Sequence, residues 1–223
     1  MKKQAIYIAA SSQHVGKTTM TLGLVAAITK RGLNAGYCKP LGQQYLEVNG
    51  KRVDKDAVLF ADCLKFPIEP SIHSPVILGP GDTAEYLENP RPGFFTNKIL
   101  KASKILHERH EIVVYEGTGH PGVGSVVDLS NAEVAKQINS DVILVLEGGI
   151  GNTLDRLSVC QAIFQQSGVK IVGVIINKVH LSKMEKVRKF MELALPKWGV
   201  ELLGIIPYDE ELVYPSMRHI VKA

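Results

Sequence analysis

The chain has 223 residues, 45% of them apolar and 22% charged, which is ordinary for a globular protein long enough to bury a large core. Lys and Arg number 26 against 22 Asp and Glu, a net charge of +4 with no basic run, so the charge gives no reason to expect nucleic acid as a partner. No apolar run reaches the roughly 18 residues of a transmembrane helix, and no membrane association is expected.

The first predicted strand, 4–10, runs into a loop at 11–19 and a helix at 17–31. That helix carries apolar Leu22, Val25, Ala26 and Ile28 and is stopped by Gly32. A strand at 35–39 follows, then a polar stretch, 42–55, read as a mobile loop. A helix is predicted at 56–64. The proline-rich stretches 66–80 and 89–93 are expected to wrap the surface around a helix at 82–88. Next come a helix at 95–109, a strand at 112–116 and a helix at 131–138, the last opened by Ser130 with Glu133 in its first turn. A strand at 141–147, a helix at 153–166, a strand at 170–176, a helix at 182–195 and a strand at 202–205 complete the series. Continuous apolar runs such as Val142-Ile143-Leu144-Val145-Leu146 mark strands buried on both faces. The alternation predicts an α/β, three-layer fold with a mainly parallel central sheet, as a single domain over 1–223. The charged start Met1-Lys2-Lys3 passes at once into a strand rather than a signal peptide. Cys38, Cys63 and Cys160 fit neither a metal pattern nor a disulfide framework, which predicts reduced thiols and a cytoplasmic chain.

The loop reads Ser11-Ser12-Gln13-His14-Val15-Gly16-Lys17-Thr18-Thr19. A strand, a loop ending Gly-Lys-Thr and a helix form the context of a phosphate-binding loop, although Ser11 stands where its usual pattern has glycine, and with it the expected fold is a P-loop NTPase fold and 1–223 a single P-loop ATP-binding domain. Backbone N–H groups from Ser12 to Thr19 are predicted to hold the phosphates, helped by the positive end of the helix. Gly16 admits the backbone closely, Lys17 reaches the β- and γ-phosphates, and the Thr18 hydroxyl binds Mg²⁺. Mg²⁺ takes few protein ligands. Glu116 at a strand end and Asp56 are the carboxylate candidates, with Asp54 competing. Lys39 ends the second strand, where a buried lysine calls for an anion. Asn177 ends another and can pair with a purine edge. Pro207 and Tyr208 are candidates for the base pocket, and 147–152 for a flexible substrate loop. His14 and His120 lie in the two loops nearest the phosphates, as substrate contacts or as polar surface.

These residues resemble dethiobiotin synthetase over nearly the whole chain. The likeness rests on Val15-Gly16-Lys17-Thr18, Gly36-Tyr37-Cys38-Lys39-Pro40, Lys55-Asp56-Ala57, Glu116-Gly117, Gly151-Asn152, Ile176-Asn177 and Gly204-Ile205-Ile206-Pro207, in the family's order. The resemblance implies that Lys17 and Thr18 hold ATP·Mg²⁺, that Asp56 and Glu116 bind the metal, that Lys39 acts on a carbamate and that Asn177 reads adenine. Lys17, Lys39 and Glu116 are then the candidate catalytic residues. It also implies a small-molecule acceptor and a homodimer. The continuation Leu41-Gly42-Gln43 and the tail Pro207–Arg218 look closer to the N-terminal module of phosphate acetyltransferases. That likeness implies the alternative function, a nucleotide-binding regulatory module with little turnover and a protein partner. Cobyrinic acid diamide synthases belong to the same wider group, but the chain has no room for their amidotransferase domain. Partitioning-type ATPases carry a lysine where Ser12 stands, so that branch is not expected. Where dethiobiotin synthetases show a loop glycine and, after Lys-Pro, a small hydroxyl residue, this chain has Ala10 and Gln43 or Gln44.

Overall fold

A computed structural model describes residues 4–210. The start Met1-Lys2-Lys3 and the part of the tail likeness from Glu211 to Arg218 lie outside the described residues. The chain forms β1 (Gln4–Ala10), α1 (Lys17–Lys30), β2 (Ala35–Cys38), β3 (Leu41–Gly42), β4 (Tyr45–Val48), β5 (Lys51–Asp54), α2 (Lys55–Leu64) and α3 (Pro70–His73). It continues through β6 (Val76–Ile77), α4 (Asp82–Glu88), α5 (Phe94–Arg109), β7 (Ile112–Glu116), α6 (Asn131–Gln137), β8 (Asp141–Glu147) and α7 (Gly151–Gln166). β9 (Ile171–Val179), α8 (Met184–Ala194) and β10 (Glu201–Pro207) complete it.

Six strands make one sheet in the order β10-β9-β8-β1-β7-β2, and every pairing in it is parallel. Alternate side chains along each strand enter different layers, as the pleat requires. Tyr7, Ala9, Val113, Tyr115 and Leu144 pack with residues of α5, α6, α7 and α8. Ile8, Ala10, Tyr37, Val114 and Val145 pack with Val25 and Ile28 of α1 and Phe60 of α2. The three-layer α/β fold with a mainly parallel sheet expected from the alternation is therefore present. β1 leads out to β2 on one side while β7 returns to β8 on the other, so the order reverses beside β1. Ligands of open α/β sheets sit at the carboxyl ends of the strands at such a point. No described helix is long and apolar enough to cross a membrane.

Two stretches differ from expectation. The region 42–55 is not a mobile loop. It holds an antiparallel hairpin in which Tyr45 faces Asp54 and Val48 faces Lys51. Its turn is Asn49-Gly50, with φ of 51° and 71°, the backbone that an Asn-Gly hairpin turn adopts. The region 66–80 does more than wrap the surface. Pro70 opens α3 at the position where its missing N–H costs nothing, β6 pairs with β3, and Ile72, His73, Ser74 and Val76 are buried. The stretch 89–93 does lie exposed. Cys38 and Cys160 are buried and Cys63 is exposed, all three as free thiols. Burial pushes the Cys160 thiol up to about 11 and that of Cys38 further still.

Candidate functional site

A cavity of about 590 Å³ opens at the carboxyl end of the sheet. Its phosphate side is the loop between β1 and α1. Ser11 N donates to Val145 O, tying the loop's start to β8. Gly16 precedes α1 with φ 89° and no side-chain cap, and a Cβ there would lie 2.2 Å from Asn177 Nδ2. Only glycine fits both the left-handed backbone and that approach. Two loop carbonyls are held from β9: Asn177 Nδ2 donates to Val15 O at 2.8 Å, and Lys178 Nζ donates to His14 O. Carbonyls so engaged leave the opposite edge of the peptides, and the first N–H groups of α1, for an anion.

Beneath the loop lies a cluster of charges centred on Glu116, which has no exposed surface. Thr18 Oγ1 donates to its Oε1 at 2.7 Å and Tyr37 OH to its Oε2 at 3.0 Å. Lys17 Nζ and Lys39 Nζ stand 3.3 and 3.2 Å from Oε1, and Lys39 also bonds Asp56. Tyr37 is fixed by Phe60, stacked at 3.7 Å between ring centroids. Burial alone would push the Glu116 carboxyl up, but Lys39, Lys17 and the two hydroxyls outweigh it and hold it below the usual carboxylate range. Burial likewise opposes the charge on Lys39, yet Glu116, Asp54 and Asp56 raise it above the ordinary lysine value. Lys17 is different. Burial lowers it further than Glu116 restores it, and Lys39 adds repulsion. Glu116 is shared between two lysines, so Lys17 is the cation left in greatest need of a further anion.

Asp54 is pushed up to about 6, chiefly by burial, against the pull of Lys39. Its carboxylate caps α2 by accepting from Asp56 N at 2.9 Å, and Asp56 sits in the first turn with a side chain 31% exposed. Asp54 is thus the cap of α2, and Asp56 faces Lys39.

The chain belongs to the AAA_26 family. Its model, an AAA domain of the P-loop type, matches residues 4–216. A probable cobyric acid synthase of Methanocaldococcus jannaschii is 26% identical over 234 residues, 95% of this chain and 47% of that protein. A phosphate acetyltransferase of Pseudomonas putida is 28% identical, over 98% of this chain and 32% of that one. The chain thus spans about half and about a third of those relatives. An ATP-dependent dethiobiotin synthetase of Methanocaldococcus jannaschii is 26% identical over 92% of this chain and 95% of its own. Among solved structures, a Borrelia burgdorferi plasmid partition protein bound to AMPPNP superposes with TM-score 0.59 at 14% identity, covering 95% of this chain and 90% of that one. The Aeropyrum pernix signal recognition particle 54 kDa protein with GDP gives 0.59 at 17%, covering 94% and 42%. At those identities the likeness is one of fold.

Within this AAA_26 chain, Ser12, Gln13, His14, Gly16, Lys17, Thr18 and Thr19 line the cavity, and so do Lys39, Asp56, Asn177, Pro207 and Tyr208. Three candidates do not line this cavity. The Val15 side chain is buried in the layer of α1 and α2, so only its backbone belongs to the site. Glu116 is buried behind the cavity wall, bonded to Lys17, Thr18 and Lys39, which do line it. The loop 147–152 does not line the cavity; Glu147 stands beside Lys178 at 3.5 Å instead. Tyr37 was missed, although it shares a face of the second strand with Lys39 two residues on. Thr118 and Gly119, which also line the cavity, had no motif to mark them.

The residues present fit a magnesium nucleotide. Thr18 and Asp56 offer the hard oxygen donors that Mg²⁺ prefers, few enough to leave places for water and phosphate, while both oxygens of Glu116 are taken up by Thr18, Lys17, Lys39 and Tyr37. Ser11 Oγ is buried without a protein partner at the start of the loop. Asn177 uses one amide proton on Val15 and carries a second donor and an acceptor for a base edge.

Proposed function

We propose that this chain is a single P-loop domain acting as an ATP- and Mg²⁺-dependent ligase of the dethiobiotin-synthetase type. The observation that carries this reading is the second lysine. Lys39 is 4% exposed, stands on the same carboxylate oxygen as Lys17 and lines the same cavity. Holding a nucleotide needs one lysine at the phosphates. A second buried cation is suited to charge that develops on a transferred phosphoryl group or on its acceptor.

In this reading one amine of a diamine attacks CO₂, forms an N–C bond and loses a proton to give a carbamate. A carbamate oxygen then attacks the γ-phosphorus, the bond to the bridging oxygen breaks, and ADP leaves. The second amine attacks the activated carbonyl carbon and releases phosphate as the ring closes. Lys17 and Thr18 orient the phosphates, Lys39 meets the charge between phosphoryl group and carbamate, and Asn177 reads adenine. Mg²⁺ would be held by Thr18 and Asp56, with Glu116 behind Thr18, and would supply further charge neutralisation. A cytoplasmic homodimer is part of the same reading and is open to sedimentation analysis.

One observation favours a second reading, a nucleotide-binding regulatory module with a protein partner. Gln43 and Gln44 line the acceptor side of the cavity, and the chain corresponds to about a third of the phosphate acetyltransferase. The test is ADP release from ATP and Mg²⁺, with and without 7,8-diaminopelargonate and bicarbonate. Strong stimulation by the pair supports the ligase. ATP binding without stimulation rejects it in favour of the module.

A further inference from the structure

We infer that Asn131, assisted by Tyr7, is a positioning residue for the acceptor side of the site: it holds loop 117–120 against the cavity. This inference rests on the ligase reading for its catalytic part. The Asn131 side chain has two donors and an oxygen with two lone pairs, and all four are occupied. Oδ1 accepts from Thr118 N at 2.9 Å and from Tyr7 OH at 2.8 Å. Nδ2 donates to Thr118 O at 2.9 Å and to His120 O at 2.6 Å. The Asn131 backbone N donates to Pro121 O at 2.9 Å. Asn131 and Tyr7 are 3% and 2% exposed.

The loop so held begins directly after Glu116. Gly117 has no room for a side chain because a Cβ would lie 2.3 Å from Asn131 Oδ1. Thr118 and Gly119 face the cavity, and a Cβ on Gly119 would come within 3.8 Å of Gln13 Cγ. Thr118 Oγ1 donates to Leu41 O, on the strand that follows Lys39-Pro40. The buried Asn131 amide thus fixes Thr118, and the Thr118 hydroxyl in turn ties the loop after Glu116 to the segment after Lys39. A fully satisfied buried network has one arrangement of low energy. An Asp in place of Asn131 would set an oxygen against the carbonyls of Thr118 and His120 and loosen the loop.

The experiment compares the whole chain with Asn131→Asp and Tyr7→Phe. Amide hydrogen exchange is followed in the segment 117–120, and kcat and KM for ATP are measured with the diamine and bicarbonate. In Asn131→Asp, exchange should rise about tenfold in that segment alone. The value of kcat should fall about a hundredfold, as expected when a reacting group is misplaced, while KM for ATP changes little. Tyr7→Phe removes one bond of the four and should give smaller changes in the same two quantities. Unchanged exchange in 117–120 in both variants overturns the inference. So does faster exchange throughout the chain, or KM for ATP rising in step with a falling kcat, because either marks a general structural loss. A loosened loop with full kcat overturns the catalytic part. A wild-type chain inert toward the diamine sinks the ligase reading alone, and the exchange result still decides whether Asn131 holds the loop.

Discussion

The two ends of the cavity are built differently. At the phosphate end the groups offered are largely backbone, and their placement is set by a left-handed glycine, two braces from β9 and the start of a helix. At the acceptor end the groups are side chains of Lys39, Gln43, Gln44, Asp54 and Asp56, carried on the end of β2, a hairpin and the start of α2. The first kind of site is general, because peptide N–H groups fit any phosphate chain. The second can be altered one side chain at a time without disturbing the first.

That contrast can be broken most sharply at Lys39. Lys39→Met should lower turnover about a thousandfold and leave the ATP dissociation constant within about threefold. Loss of ATP binding in a titration would show that the two ends are not separable. The complementary change is Lys17→Ala, which should weaken ATP about a hundredfold, the typical effect of truncating one member of a buried charge pair. Undiminished affinity would break the phosphate-loop assignment. Gly16→Ala sharpens the claim that the phosphate end is backbone-made. It adds strain at φ 89° and a clash with Asn177, and ATP affinity should fall about tenfold, the size of a 1–2 kcal/mol cost. Asp54→Asn has the smallest effect, and it reads the acceptor end by pH. The Asp54 carboxyl is raised from 3.8 to about 6, so the stability tied to its protonated form is fully present below about pH 3.8 and is lost as pH rises through 6. Asn keeps the cap. The variant should match wild type near pH 4 and exceed it by of order 1 kcal/mol near pH 8. Parallel stability curves for the two proteins across that range would refute the burial account.

The sheet was legible because strands buried on both faces must be apolar throughout, as Val142–Leu146 are, and because glycines such as Gly32 stop helices. The phosphate loop was legible because its chemistry is contiguous: Gly16, Lys17 and Thr18 act from adjacent positions. Lys39 and Glu116 were found because a charge at the end of a buried strand needs a partner. The hairpin 45–54 carried a signal that went unused, Asn49-Gly50 between short alternating runs. Polarity alone suggested a loop there, whereas Val53 is fully buried. Asn131 was visible only as part of a helix start. Its bond with Tyr7 spans 124 positions, and no local pattern encodes a contact so distant. The division of labour between Asp54 and Asp56 was out of reach for the opposite reason. Two positions apart, both were carboxylate candidates for the metal, and that Asp54 caps the helix shows only in its backbone angles and its bond from Asp56 N.

The three cysteines give the molecule a built-in labelling asymmetry. Cys38 and Cys160 are buried with thiols shifted upward, and thiolates are the form that reacts with alkylating dyes. Cys63 is exposed near the end of α2, the helix that begins at the Asp54 cap and carries Asp56. A maleimide fluorophore added to the unaltered chain should therefore attach at one place. It would report on events at the far end of that same helix, with no cysteine needing to be added or removed.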